Sequence, residues 1–209
     1  GFPDGITGKE LAELFRRQLR RWKVKVLRTA ATRLQRKASR FRVKTPRRTL
    51  SAPCLVLACG SRGVPLGVRG EAGLAGKKVF YEVEALPLLK RGQTVCVIGS
   101  GDIAFDYALS LARRKIRCTL LLRGPKPRCI PLLARAVRRN PRIKVRKDAE
   151  VTAIADVRGK VALQLRTKGK KGALEADYVL VAVGRKPYWG LLPAAWRKRL
   201  RKNPRALEN

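Results

Sequence analysis

Histidine and methionine are both absent from this 209-residue chain, and 14 acidic residues stand against 50 lysines and arginines. Without histidine there are no His-based metal sites and no Ser-His or Cys-His nucleophile pairs. No metal site and no catalytic residue is assigned from the sequence. The five cysteines, Cys54, Cys59, Cys96, Cys118 and Cys129, contain no C-x-x-C and are odd in number. Three of them sit in apolar strand-like runs, so buried free thiols in a reducing cytoplasm are expected. No run of about 18 apolar residues is present, which excludes a transmembrane helix. The start lacks a charged, apolar, small-residue signal pattern. Opening on Gly1 without methionine is expected of a trimmed start or of an internal piece of a longer chain.

Hydrophobic residues make up 45% of the chain, enough for a core, and the formal net charge is +36. Such a charge alone suggests a polyanion partner. The cations, however, are scattered between apolar positions from Arg16 to Arg205 and not gathered in one polar block. A general basic surface is therefore favoured over a specific nucleic-acid site, which remains an alternative.

Thr7-x-x-Glu10 reads as a capping box, and Leu11, Leu14, Phe15, Leu19 and Trp22 fall at helical spacing. A helix over 8–22 packing one face on a core is predicted. KVKVLR reads as a short strand, TRLQRK and RFRVKT as a hairpin about Ala38-Ser39, and CLVLACG as a strand buried on both faces. The Gly- and Pro-containing residues 60–78 read as a connection between domains. Strand (94–98), helix (102–113), strand (117–122), helix (130–139) and strand (142–145) then alternate, which implies a parallel sheet. VTAIAD, KVALQLRT and DYVLVAVG read as a β-meander, and the residues from Gly190 onward are basic and poorly patterned. The expected fold class is α/β: a Rossmann-like, three-layer domain with parallel sheet and β-meander, plus part of a second similar domain.

The stretch VCVIGSGDIAFD carries the chemistry. A dinucleotide turn needs a glycine where the chain leaves the strand, another where the backbone meets the pyrophosphate, and a small residue where helix packs on strand. Gly99, Gly101 and Ala104 meet those needs in order, and the first N–H groups of the helix add the positive end of its dipole. Gly99, Ser100, Gly101, Asp102, Ile103 and Ala104 are thus the expected pyrophosphate-binding residues. The alternative is a tight strand-to-helix turn in an unrelated α/β protein. At the end of the next strand, LLRGPKPR offers Arg123, Lys126 and Arg128 and no acid, which favours a 2′-phosphorylated cofactor, NADP(H), over NAD. The competing explanation is that these cations belong to the general basic surface.

With these residues in view, the chain resembles a middle segment of the thioredoxin-reductase-like flavoproteins, in the pyridine nucleotide-disulfide oxidoreductase superfamily. GFPDGITGKEL is similar to that family's GFP-x-x-I-x-G-x-x-L, and CLVLACGSRGVP to the A-T-G strand that closes on FAD. VIGSGDIAFDYA resembles the G-G-G-D-S-A-x-x-x-A turn, and YVLVAVGRKP the A-I-G-x-x-P return strand. The resemblance implies FAD and NADP as cofactors, with Ala58, Cys59, Gly60, Gly184 and Arg185 beside them. It further implies a partial FAD-binding domain at 1–66, an inserted NAD(P)-binding domain at 67–184, and the start of the return to the FAD domain at 185–209. The family's upstream FAD glycine turn and later Gly-Asp motif have no counterpart in the sequence, so a fragment is expected.

The departures are informative. Where thioredoxin reductases carry C-x-x-C-D, this chain has Glu82-Val83-Glu84-Ala85-Leu86, so dithiol exchange cannot occur there. Glu82 and Glu84 are expected to be solvated carboxylates. Two of the three arginines of the family's phosphate clamp remain, as Arg123 and Arg128, with Lys126 between them. Cys59 replaces a usual threonine and is expected to be buried. Similar loss of the cysteine pair in ferredoxin–NADP reductases of this type implies NADPH as donor and an acidic carrier, ferredoxin or flavodoxin, as acceptor, with a homodimer left open. A non-catalytic nucleotide-binding relative is the alternative within the same fold.

Overall fold

The computed structural model describes residues 5–202, with the backbone alone for 201 and 202. The Gly1–Pro3 opening of the first motif and the basic residues beyond 202 lie outside them. The chain folds as two compact units, Gly1–Leu57 with Trp189–Asn209, and Ala58–Tyr188.

In the first unit, helix α1 (Gly8–Arg21) starts at the expected capping box. The Thr7 hydroxyl accepts from Glu10 N at 3.3 Å, and the Glu10 carboxylate accepts from Thr7 N at 2.8 Å. Glu13 then pairs with Arg16 and Arg20 along the same helix. These local signals favour the helix, and its apolar face is not packed as expected: Phe15 and Trp22 are 58% and 72% exposed, and no α1 residue is buried. Lys23, at φ 52°, turns the chain, and KVKVLR then runs without a strand partner among the described residues and is not a strand. Strands β1 (Arg33–Lys37), β2 (Arg40–Lys44) and β3 (Thr49–Ala52) form an antiparallel sheet that turns at Ala38. The run 54–60 is also not a strand. A buried strand needs partners on both edges, and among the described residues none pairs with it; Val56 is 89% exposed and Cys54 and Cys59 are exposed.

The second unit begins with β4 (Ser61–Gly63), a short helix α2 (Glu71–Leu74) and β5 (Val79–Phe80). The stretch 60–78, expected to be a connection between domains, is built into this unit. Its anchor is the buried Glu71 carboxylate, which accepts from Leu66 N at 2.9 Å, Gly67 N at 2.7 Å and Tyr81 Oη at 3.0 Å. Alternation follows as predicted: β6 (Thr94–Ile98), α3 (Asp102–Arg113), β7 (Arg117–Leu121), α4 (Pro131–Arg139) and β8 (Ile143–Arg146). The meander is β9 (Ala149–Val157), β10 (Lys160–Thr167) and β11 (Lys170–Ala176), so its third strand is β11 and not DYVLVAVG. Lys170, Lys171 and Gly172 conceal β11 from any apolar alternation. DYVLVAVG supplies β12 (Tyr178–Val181), the central neighbour of β6 in a five-stranded parallel sheet of order β5-β12-β6-β7-β8. β13 (Arg185–Pro187) pairs with β4 as an antiparallel ribbon.

The pleat of the parallel sheet explains the three layers. Val95 and Val97 point into one core with Phe105, Leu111 and Val137 of the helices. Cys96 and Ile98 point into the other, with Val161, Leu163 and Leu165 of the meander. Both faces of β6 are covered, which is why TVCVI is a continuous apolar run. In the first unit, the residues from Gly190, unpatterned at first reading, contain helix α5 (Ala194–Lys202). Trp196 meets Phe41 edge-on at 5.9 Å, and Leu200 is buried in a small core with Leu34 and Leu192.

Candidate nucleotide-binding cleft

The carboxyl ends of β6 and β12 lie side by side, and a cleft of about 630 Å³ opens there within the second unit. In open α/β sheets this is where ligands bind. Gly99, Ser100, Gly101, Asp102 and Ile103 line it, with Arg123 and Arg128 from the loop after β7 and Gly184 after β12. Ala104 is fully buried beneath the turn. Leu66, Val68, Ala149 and Val151 form the apolar wall opposite. Nothing local in the sequence signals that wall, because it comes from the connecting segment and the start of the meander.

The two glycines do different work. At Gly99, φ is 155°, and an added Cβ would stand 2.8 Å from Ala104 Cβ and against the Ala182 carbonyl. Ala182 is itself tied to β6, since Ala182 N donates to Ile98 O at 2.8 Å. Only glycine lets the strand, helix and neighbouring strand meet so closely. At Gly101 an added Cβ would meet nothing within 4 Å, so the backbone borders open space. A pyrophosphate fits a cradle of this kind: bare backbone beside it, and the N-terminus of the twelve-residue α3 behind it.

Arg123, Lys126 and Arg128 come together with Ser100 around a second, smaller pocket of about 270 Å³ next to the cleft. The loop that carries them is tied to the glycine turn: Arg128 N donates to Ser100 O at 2.7 Å, and Ile130 N donates to the Asp102 carboxylate at 2.8 Å. Arg185, expected at a cofactor, instead turns to Glu82 and Ser61. Its guanidinium contacts both Glu82 oxygens at 2.7 and 2.8 Å and donates to Ser61 Oγ and O at 2.8 and 2.7 Å. Tyr107 of α3 donates to the same carboxylate at 2.9 Å. Glu82 is therefore a clasp between α3 and the β4–β13 ribbon and not a freely solvated group. Burial, then the hydrogen bond to Glu82, push the Tyr107 phenol up to about 12. The partners of this clasp are far apart in sequence, and nothing local signals it.

Ala58, Cys59 and Gly60 line neither pocket. Cys59 is exposed and not buried as expected, for the same lack of strand partners that leaves 54–60 open. Burial does hold for Cys96 and Cys118: it raises both thiols, Cys118 to about 12, which makes them inert packing groups. Among the described residues, no helix is long and apolar enough to cross a membrane.

Known proteins share this fold. The family model described as pyridine nucleotide-disulphide oxidoreductase matches residues 5–200. A thioredoxin reductase of Treponema pallidum is 30% identical over 200 residues, covering 93% of this chain and 64% of that protein. An Arabidopsis thaliana protein described as NADPH-dependent thioredoxin reductase 3 is 29% identical, over 92% of this chain and 37% of its own length. The crystal structure of Lactococcus lactis thioredoxin reductase superposes with a TM-score of 0.82 at 20% identity, covering 90% of this chain and 63% of that one. The chain thus spans less than two thirds of the relatives it matches. By this match, which runs through both units and the cleft, the chain belongs to the pyridine nucleotide-disulphide oxidoreductase family.

Proposed function

We propose that the cleft binds NADPH, and that the protein is an NADPH-dependent FAD flavoprotein oxidoreductase whose electrons leave by a route other than a local disulfide. The observation that carries this reading is the pairing of a Gly99–Gly101 cradle with Arg123 and Arg128 at one end of the same cleft. In it, Gly99, Ser100, Gly101, Asp102, Ile103 and Ala104 form the pyrophosphate turn, with Gly184 beside it. Arg123 and Arg128, with Lys126, hold the 2′-phosphate through charge-assisted hydrogen bonds. The apolar wall of Leu66, Val68 and Val151 excludes water from the rest of the bound nucleotide.

FAD, when bound, would supply the hydride-accepting ring. Ala58, Cys59 and Gly60 are the residues of this chain assigned to it. The proposed division is a partial FAD-binding domain at 1–66, an inserted NAD(P)-binding domain at 67–184 and a return from 185. Relatives described as thioredoxin reductases suggest a dithiol acceptor, but residues 79–86 hold no cysteine, and Glu82 is committed to Arg185 and Tyr107. An acidic one-electron carrier such as ferredoxin or flavodoxin suits the net charge of +36, which would steer its approach. A reducing, cytoplasmic setting completes the reading, with a homodimer left open. The test is anaerobic addition of NADPH to the FAD-loaded protein. Bleaching of the flavin, followed by reoxidation by ferredoxin, is expected, and a flavin left oxidised contradicts the proposal.

A further inference from the structure

The loop from Leu122 to Ile130 carries every cation of the smaller pocket, and few bonds hold it. At its base, Leu122 N donates to Arg146 O at 2.8 Å, Leu122 O accepts from Ala149 N at 2.9 Å, and Gly124 O accepts from Asp148 N at 3.3 Å. Pro125 and Pro127 have no N–H to give. At its far end, two donors reach the glycine turn: Arg128 N to Ser100 O at 2.7 Å, and Ile130 N to Asp102 Oδ1 at 2.8 Å. Only the second of these acceptors is a side chain.

Helix α4 also needs what Asp102 offers. Ile130 is its N-cap residue, with no side-chain cap, Pro131 follows at the start of the helix, and the first turn contains no acid. In a capping box, a carboxylate three residues into the helix accepts from the N-cap N–H. Asp102 supplies that carboxylate from a different helix, and its negative charge complements the positive end of the α4 dipole.

We infer that Asp102 is a positioning residue for 2′-phosphate selectivity: by capping α4 from α3, it fixes Arg123, Lys126 and Arg128 over the turn that holds the pyrophosphate. The inference rests on the proposed NADPH reading of the cleft. It assigns Asp102 a part in choosing between phosphorylated and unphosphorylated nucleotides, although its carboxylate makes no favourable contact with a phosphate itself.

The test is calorimetric titration of the full chain with adenosine 2′,5′-bisphosphate and with 5′-AMP, reading the ratio of the two affinities. Asp102→Ala leaves the Ile130 N–H without its partner and frees the far end of the loop, and the ratio is expected to fall about tenfold, the scale of one lost charge-assisted hydrogen bond. Asp102→Asn keeps an oxygen acceptor and is expected to preserve most of the ratio, a rescue that general damage to the fold would not produce. If Asp102→Ala keeps the wild-type ratio, or loses both affinities in equal proportion, the inference is overturned while the NADPH reading stands. If the wild-type chain shows no preference for the bisphosphate, the NADPH reading and the inference fall together. Should Asp102→Ala not fold, as judged by circular dichroism, Asp102→Ser, whose shorter side chain does not span to the Ile130 N–H, takes its place, and a wild-type ratio in that variant overturns the inference equally.

Discussion

Replacing Gly99 and Gly101 separately by alanine should pull apart folding and binding. At Gly99 the new methyl would stand 2.8 Å from Ala104 Cβ and 2.9 Å from the Ala182 carbonyl carbon, at a φ of 155°. None of these can give way easily, because Ala104 is fully buried and Ala182 is bonded to β6. Backbone strain costs about 1–3 kcal/mol, and overpacking adds about 1–3 kcal/mol. The sum, about 2–6 kcal/mol, is a large share of the about 5–15 kcal/mol that holds a domain together. Gly101, by contrast, has φ −91° and ψ 179° and open space around its Cβ direction. As an N-cap exchange, Gly101→Ala costs about 0.5–1 kcal/mol of stability. Its methyl occupies the place of the pyrophosphate, and loss of a charge-assisted backbone contact weakens nucleotide binding about tenfold or more. Guanidinium denaturation and calorimetric titration of both variants measure the two effects. Wild-type stability in Gly99→Ala, or wild-type NADPH affinity in Gly101→Ala, would refute the assignment of the turn.

Glu71→Ala removes a buried acceptor from the Leu66 and Gly67 amides and the Tyr81 hydroxyl; a loss of about 2–5 kcal/mol in chemical denaturation is expected. Arg185→Ala opens the clasp on Glu82 and should cost about 1 kcal/mol, given the partial exposure of the pair. Arg185→Lys should not restore it, because a lysine cannot fork to Glu82 and Ser61 together. For Tyr107 the folded pKa, about 12, lies above the ordinary 10.0. The stability it contributes is complete below pH 10 and is lost as pH rises toward 12. Thermal melts across that window should fall more steeply for wild type than for Tyr107→Phe, and parallel curves would contradict the Tyr107–Glu82 bond.

What could be read from the sequence was whatever local signals alone determine. Thr7 and Glu10 announce α1, and VCVIGSGDIAFD announces β6, the turn and α3, because cap, strand pattern and glycines are contiguous. Whether α1 is covered depends on partners that the helix itself does not encode, so its packing was misread. The run 54–60 is apolar enough for a buried strand, yet hydrophobicity gives no neighbours to pair with. β11 was missed because charged residues and Gly172 mask its alternation, and α5 because basic residues surround Trp196 and Leu200. The expected cofactor residues Gly99 to Ile103, Arg123, Arg128 and Gly184 lie along one cleft. Arg185 does not, since the Glu82 carboxylate that captures it lies 103 residues away in sequence. The apolar wall of the cleft has the same cause: Leu66 and Val151 meet only after the meander folds back over the sheet.

The central claim, that this cleft selects a 2′-phosphorylated dinucleotide through Arg123 and Arg128, is tested most directly by the affinities of NADPH and NADH. Both should be titrated against wild type and the Arg123→Ala/Arg128→Ala variant at low and high salt. Two charge-assisted contacts of about 1.5–3 kcal/mol each predict a wild-type preference for NADPH of at least about a hundredfold. That preference should shrink with salt and disappear in the double variant. Equal affinities in wild type, or an undiminished preference without the two arginines, would contradict the account.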